Sequence, residues 1–320
     1  MDLLKLKSSL GAIDLSDRFA EQIRYRVSTG NIAFDRAIGG GIPSGKLTEF
    51  YGGESSWKSA LLLCILAEAQ RMGGISMLMD VERSLEKGLV DLTGIDTKAL
   101  IYPDPNELET LEDVFDITKA AITLMREANP EGLLVIGLDS LAVLPSKEEL
   151  KREEWHVGPN AARRAAVIGD ALKKLMPMVY KTNICLIFIN QIRDNIGVQF
   201  GSQTDTPGGR QVKFWASLRV RFKIMGSIRD DVTKEQSGSK VNLYVAKSKV
   251  CVPFHEVNFE IPVAEPISRY SGLLDYLVRH GKVKQSGAWY YFSDEEKKWQ
   301  KKDFEAKYKE KFEKEDKDAG

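Results

Sequence analysis

The 320-residue sequence predicts an α/β fold with a mostly parallel, doubly wound central sheet. Two observations predict it. Short apolar stretches at Leu47–Tyr51, Ile75–Asp80, Leu133–Asp139 and Ile184–Asn190 have the length and texture of interior strands buried on both faces. Helical patterns at Lys58–Met72, Thr110–Ala128 and Ala161–Tyr180 fall between them, so strand and helix alternate along the chain. Beyond residue 215 the texture changes. Leu218–Met225, Val241–Val245 and Glu256–Ile261 alternate or collect β-branched and aromatic residues, as antiparallel strands extending the sheet would. A helix is expected from about Tyr270, then a short strand at Ala288–Phe292. Residues 293–320 hold nine Lys against ten Asp or Glu, and Phe304, Tyr308 and Phe312 fall four apart, which predicts one amphipathic helix. Its apolar stripe either packs on a small C-terminal domain or meets a partner.

Lys plus Arg number 46 and Asp plus Glu 46, for a formal net charge of zero. That balance argues against a uniformly basic nucleic-acid coat and against an acidic disordered protein. Hydrophobic residues at 43% and charged residues at 29% make an ordinary globular mixture, and the length suggests about two domains. The longest apolar run, Ala60–Ala67, is far short of the roughly 20 residues that cross a bilayer. The first residues show no sustained apolar segment or small-residue cleavage site, so a cytoplasmic location without a membrane partner is expected. Cys64, Cys185 and Cys251 form no CxxC pair, and His156, His255 and His280 are scattered, so no zinc site is expected.

The segment KLTEFYGGESSWKSALLLCIL carries the most chemistry. A strand leads into Gly52, Gly53, Glu54, Ser55, Ser56, Trp57, Lys58 and Ser59, then a helix. This fits the phosphate-binding pattern GxxxxGK[ST] except at its second glycine, where Trp57 stands. Backbone N–H groups of such a loop and of the helix N-terminus point at phosphate oxygens. Lys58 would neutralise β- and γ-phosphates, and the Ser59 hydroxyl would ligate magnesium. A bulky residue at 57 is strained if that position needs positive φ. The alternative is a degenerate turn before an ordinary helix. Two later segments favour the phosphate site: ISMLMDVE, a strand ending in Asp80 and Glu82, and LLVIGLDS, an apolar strand ending in Asp139 and Ser140. Asp139 at a strand tip can orient Mg2+ or its waters, and Glu82 can polarise the attacking water.

Residues 151–224 carry 13 Lys or Arg against five acids. Within them, Asp194–Gln211 is long and rich in Gly and polar residues, with one aromatic, Phe200. Basic groups that track phosphates and glycine backbone that approaches closely suit single-stranded DNA. The alternative is a surface loop beside solvated lysines.

From VSTGNIAFDRAIGGGIPSGKLTEFYGGESS through LIFINQIRDNIGVQFGSQTDTPGGRQVKFWASLRV to VAKSKVCVPFHEVNFEI and GAWYYF, the sequence resembles the RecA family of homologous-recombination ATPases over about residues 24–292. Trp57 before Lys58, and YSGLLD at Tyr270–Asp275, are similar to the UvsX-type recombinases of phages. The resemblance implies a RecA-like P-loop ATPase core at 31–268, an N-terminal helical oligomerisation segment at 1–30, and a small C-terminal α/β domain with a charged helical tail at 269–320. It implies ATP and Mg2+ as nucleotide and metal, with Glu82 catalytic and Gln191 sensing γ-phosphate. Lys247 and Lys249 would reach the nucleotide of a neighbouring subunit, and Phe214 would lie at that contact. Arg163, Arg193, Gly208, Gly209, Arg210 and Lys213 map to the DNA loops or their edges, with Arg164 adjacent and Phe200 a wedge between bases. The first DNA loop, around Lys151–Asn160, is one residue out of step, which leaves Trp155 and His156 without assigned roles. Leu89 stands where the family has a tyrosine stacking on adenine, which implies a looser grip on the base.

The function so implied is a DNA recombinase: an ATP-dependent helical filament on single-stranded DNA that pairs it with homologous duplex and hydrolyses ATP on DNA stimulation. A loading mediator and a single-strand-binding protein are the further partners implied, in a host cytoplasm if the chain is phage-encoded. Trp57 motivates one alternative, a filament-forming mediator paralogue with little ATPase activity. A hexameric helicase of the same fold is the other, opposed by the TPGGR loop and the GAWYYF element.

Overall fold

The expected interior strands lie side by side in one eight-stranded sheet. In chain order its strands are β1 (Lys46–Gly52), β2 (Ile75–Asp80), β3 (Leu100–Ile101), β4 (Leu134–Asp139), β5 (Ile184–Gln191), β6 (Leu218–Arg229), β7 (Gln236–Ser248) and β8 (Glu256–Pro262). They are ordered β8-β7-β6-β1-β5-β4-β2-β3. Pairing is parallel from β6 across to β3 and antiparallel in β6–β7 and β7–β8. The structure, a computed structural model, describes residues 9, 23–151, 161–194, 204–293, 297–308, 310 and 311.

The helices are α1 (Ile32–Ala37), α2 (Lys58–Arg71), α3 (Lys87–Thr93), α4 (Leu111–Ala128), α5 (Lys147–Leu150), α6 (Ala161–Tyr180), α7 (Gly209–Trp215) and α8 (Leu273–Arg279). Because strand side chains alternate, one sheet serves two apolar layers. Phe50, Leu78, Val135 and Ile187 join the core that holds Leu61, Leu62, Ile65 and Leu66 of α2. Leu47, Met79, Ile136 and Phe188 face the other way, into the core of α4 and α6. Covering on both faces is why these strands read as nearly continuous apolar runs. A capping box starts α4: Thr110 Oγ1 accepts from the Asp113 amide at 3.2 Å, and Asp113 Oδ2 accepts from the Thr110 amide at 3.1 Å.

Strands β6 and β7 run well past their expected ends, because only Leu218–Phe222 pairs with β1 and the hairpin continues outward beyond it. The C-terminal part forms a second sheet of β9 (Val283–Ser286), β10 (Trp289–Phe292) and β11 (Trp299–Gln300). Sequence patterning missed β9, and it missed β11, which is only two residues long and lies inside the charged stretch expected to be one helix. Phe304 and Tyr308 are buried in the same core as α2, so the described part of the tail packs its apolar stripe inward. Phe312 lies outside the described residues, as does most of the expected N-terminal segment, whose residues 23–30 contain the short strand Arg26–Val27. Among the described residues no helix is long and apolar enough to cross a membrane.

One buried charge group ties the middle of the sheet. The Glu49 side chain on β1 is fully buried and ion-paired with Arg219 of β6. Its Oε1 accepts from Asn190 Nδ2 of β5 at 3.0 Å, and the same Nδ2 reaches the Pro207 carbonyl at 3.0 Å. Three neighbouring strands and the far end of the Asp194–Gln211 segment therefore share one satisfied polar cluster.

At the end of β1, Gly52 lies so near β6 that a Cβ there would stand 2.3 Å from the Phe222 carbonyl oxygen. Gly52→Ala is expected to lower stability by about 1–3 kcal/mol, the usual cost of overpacking. A urea midpoint unchanged from wild type would contradict this close approach.

Candidate functional site

Four adjacent parallel strands end together. Gly52, Gln191, Asp139 and Asp80 are the last residues of β1, β5, β4 and β2. The crevice at the carboxyl ends of such strands is the usual ligand position in an open α/β sheet. Here it is a cavity of about 550 Å3 lined by residues 54–60 with Glu82, Leu85, Leu89, Asp139 and Gln191. A larger cleft of about 890 Å3 lies between the β7–β8 edge and the C-terminal part, but it contains none of the motif residues.

The loop from β1 to α2 has the build of an anion cradle. Trp57 caps α2 at φ 69° and ψ 17°, with no side-chain hydrogen bond to the first-turn amides. Those amides are left to an incoming anion. Position 57 thus adopts the left-handed conformation that favours glycine, and its indole is accommodated by packing on the core beside Leu85 and Leu89. Lys58, only 6% exposed, donates to the Gly53 carbonyl at 2.6 Å and to Ser56 Oγ at 3.0 Å. Three loop oxygens, counting the Gly52 carbonyl at 3.5 Å, surround its ammonium as phosphate oxygens would. Burial lowers the Lys58 pKa, while Asp139, Glu82 and Glu54 oppose that shift. Gly52 closes β1, Gly53 has open space around it, and Glu54 and Ser55 are exposed at the rim.

The acids gather opposite. Ser59 and Asp139 both line the cavity, and the two offer a pair of hard oxygens suited to Mg2+ or its waters. Burial pushes the Asp139 pKa up to about 6, with Glu82 and Asp80 adding to it and Ser59 and Lys58 acting against it. Glu82 sits just past β2, where the Val81 and Glu82 amides donate to the Asp139 carbonyl at 2.7 and 3.2 Å. Its Oε1 accepts from the Ser140 hydroxyl and, at 3.1 Å, from Gln191 Nε2. Ser140 was visible in the sequence as the residue after Asp139, yet nothing in the motif marked it as the donor to Glu82.

Lys247, Lys249 and Phe214 come together away from this cavity. Lys247 Nζ donates to the Phe214 carbonyl at 3.0 Å, and Lys249 Nζ lies 5.7 Å from the Phe214 ring centroid. Burial, with Lys249 and Arg219 alongside, pulls the Lys247 pKa down to about 8. Phe214 is 65% exposed.

The residues expected at DNA are partly in view. Gln191 leads through Ile192 into a short ribbon in which Arg193–Asp194 pairs with Thr204–Asp205. Phe200 lies outside the described residues, as do Trp155 and His156. Gly208 and Gly209 both have positive φ and start α7, where a Cβ on Gly208 would stand 3.0 Å from Val212. That conformational need accounts for their being glycine. Arg210 is exposed and Lys213 half-buried. Arg163 and Arg164 pair with Glu148 and Glu149 of α5 at 3.2 and 3.0 Å.

The family model described as the RecA N-terminal domain matches residues 7–268. Protein RecA of Rubrobacter xylanophilus is 36% identical over 284 residues, covering 88% of this chain and 78% of the relative. Protein RecA of Geobacter sulfurreducens is 39% identical over 269 residues, covering 83% and 75%. Protein RecA of Heliobacterium modesticaldum is 38% identical over 281 residues, covering 87% and 77%.

The Asp139 shift has a stability consequence. Between the ordinary value of 3.8 and about 6, the folded protein holds a proton that the unfolded chain has lost. Stability from this group falls as pH rises through that window, by on the order of 1–3 kcal/mol. Without nucleotide, Asp139→Asn should therefore resist urea better than wild type at about pH 8 and lose that advantage near about pH 4. An advantage independent of pH would overturn the assignment.

Proposed function

The chain belongs to the RecA family, and we propose on that footing that it is a RecA-type recombinase. In this reading it forms a helical filament on single-stranded DNA, pairs that strand with homologous duplex, and hydrolyses ATP when DNA is bound. The observation that carries the reading is the Gln191–Glu82 hydrogen bond. It joins the candidate hydrolytic carboxylate to the strand that runs directly into the loop expected at DNA.

The residues divide the work as follows. The loop amides and the α2 N-terminus cradle the phosphates, and Lys58 exchanges its loop acceptors for β- and γ-phosphate oxygens. Ser59 and Asp139 would hold Mg2+, which would supply positive charge to offset that of the phosphates. Glu82 takes a proton from the water whose oxygen attacks the γ-phosphorus, and ADP leaves with the electrons of the broken bond. Gln191, bonded to Glu82, moves with the γ-phosphate and shifts the base of the Arg193–Asp205 ribbon. Lys247 and Lys249, presented with the exposed Phe214, are placed to stabilise the phosphates of the next copy in the filament. Arg210, Lys213 and Arg193 would track the DNA backbone. Arg163 and Arg164 join them only by exchanging Glu148 and Glu149 for phosphate.

Leu89 and Leu85 present aliphatic side chains to the cavity, so a base over them gains less than by stacking on a ring. Selectivity for ATP over GTP is therefore expected to be low and turnover slower than in relatives with an aromatic at that position. Side-by-side hydrolysis rates decide this, and a strong ATP preference with fast turnover would sink it.

Hydrolysis measured with and without single-stranded DNA, together with imaging of the protein–DNA–ATP mixture, tests the main reading. DNA-stimulated hydrolysis with continuous helical filaments supports it. Filaments without hydrolysis would assign the chain to a mediator role, and closed rings to a helicase. Lys58→Ala is expected to reduce hydrolysis at least 100-fold, on the order of what one lost transition-state contact costs.

A further inference from the structure

Glu82 sits on a turn, not on a strand, so something must hold that turn still. A general base must keep within hydrogen-bond reach of the proton it removes, and a misplacement of about 1 Å can cost about 100-fold in rate. The two amide bonds to the Asp139 carbonyl fix only the start of the turn. Further anchors come from a segment with no contact to the cavity, the chain just after the edge strand β3.

Tyr102 donates its hydroxyl to Asp80 Oδ2 at 3.1 Å. Asp80, 2% exposed, also accepts from the Ser84 amide at 3.4 Å through Oδ1, so its carboxylate spans the turn from one side to the other. On the far side of Glu82, Arg83 takes the left-handed conformation at φ 53° and donates to the Pro105 carbonyl at 3.0 Å. The 102–105 segment thus grips the turn at Asp80 and at Arg83, bracketing Glu82 in sequence. Burial, then the neighbouring Asp80 carboxylate, push the Tyr102 pKa up to about 12, so the phenol keeps its proton and remains a donor.

We propose that Tyr102 is a positioning residue for hydrolysis, holding the Glu82 turn through Asp80 while Arg83 holds it through Pro105. The inference rests on the reading of Glu82 as the hydrolytic base. It adds a constraint that none of the motif residues supplies, because among the described residues the hydrogen bonds to Glu82 itself come only from the Asp139 carbonyl, Ser140 and Gln191. A positioning role differs from a structural one in where its loss appears: in turnover, with nucleotide affinity and stability nearly untouched.

Tyr102→Phe removes one oxygen from a side chain that is 42% exposed, so the fold should tolerate it. The full chain would be assayed for ATP hydrolysis, for affinity with a non-hydrolysable ATP analogue, and for thermal stability. The expected result is about a tenfold lower kcat with analogue Kd within about twofold of wild type. Arg83→Gln, which removes the other anchor, should behave alike. In a Glu82→Gln background, with residual hydrolysis followed over long single turnovers, Tyr102→Phe should add less than about a twofold effect, since its target is already gone. Wild-type kcat in both single variants overturns the proposal. So does a loss that lies in Kd, or a full tenfold effect persisting without Glu82. A wild-type chain that hydrolyses no ATP overturns the functional reading itself and this inference with it, so the two failures are distinct.

Discussion

The buried Glu49 carboxylate is the constraint on which the arrangement of the site depends. A charge with no exposure must be paired and hydrogen-bonded, because an isolated carboxylate in that position would cost several kcal/mol. Arg219 and Asn190 satisfy it from the two neighbouring strands, and each carries a consequence. Asn190 is followed by Gln191, whose side chain alternates to the other face and meets Glu82. Arg219 is paired across β7 with Lys247, which sets where the two lysines emerge. The strand that ends in the phosphate loop, the strand that ends in the sensor and the strand beside the lysine pair are thus held in register by one cluster. The bond from Asn190 to the Pro207 carbonyl brings the end of the Asp194–Gln211 segment into the same cluster.

The second organising feature is a surplus of negative charge around one ammonium. Asp139, Glu82 and Glu54 act on Lys58, Asp80 and Glu82 act in turn on Asp139, and the raised Asp139 pKa records how little solvent shares the load. Such an arrangement binds a divalent cation better than it binds nothing. It also keeps Lys58 from settling permanently on one acid: its hydrogen bonds go to Ser56 and the loop carbonyls. Neutral acceptors are easier to leave than a carboxylate, so exchange for phosphate oxygens costs less.

Much of this was legible in the sequence, for reasons that differ by element. β2 and β4 were readable because both faces are covered and the apolar run is unbroken. α2 was readable because a phosphate loop must end in a helix. Lys58 and Ser59 were read from the loop motif, Glu82 and Asp139 from strands that end in acids, and Gln191 from the family resemblance. The five line one cavity because neighbouring strand ends of a parallel sheet meet there. What escaped was long-range and polar. Nothing local marks Ser140 or Asn190 as donors, since their acceptors lie 58 and 141 residues away. The pairs that occupy Arg163 and Arg164 were hidden for the same reason, because a basic residue looks alike in sequence whether its partner is phosphate or Glu149. Gly208 and Gly209 were read as close-approach positions for DNA, whereas their positive φ gives them a backbone reason to be glycine.

Trp57 shows how such a departure is tolerated. The left-handed conformation costs a non-glycine residue roughly 1–2 kcal/mol. Burying part of an indole against the α2 core returns a comparable amount at about 25 cal/mol per Å2 of apolar surface. The loop therefore keeps the backbone path that glycine would give, and its amides and Lys58 remain aimed at the same point. The side chain is what differs. Trp57 lines the cavity, as Leu85 and Leu89 do, and packs partly against the core. On the proposed reading of this loop as a phosphate site, an apolar side chain there would exclude water from around Lys58 and strengthen the charge interactions. On that reading the substitution would shift the balance of the site from base recognition towards phosphate grip, the direction in which Leu89 would also move it.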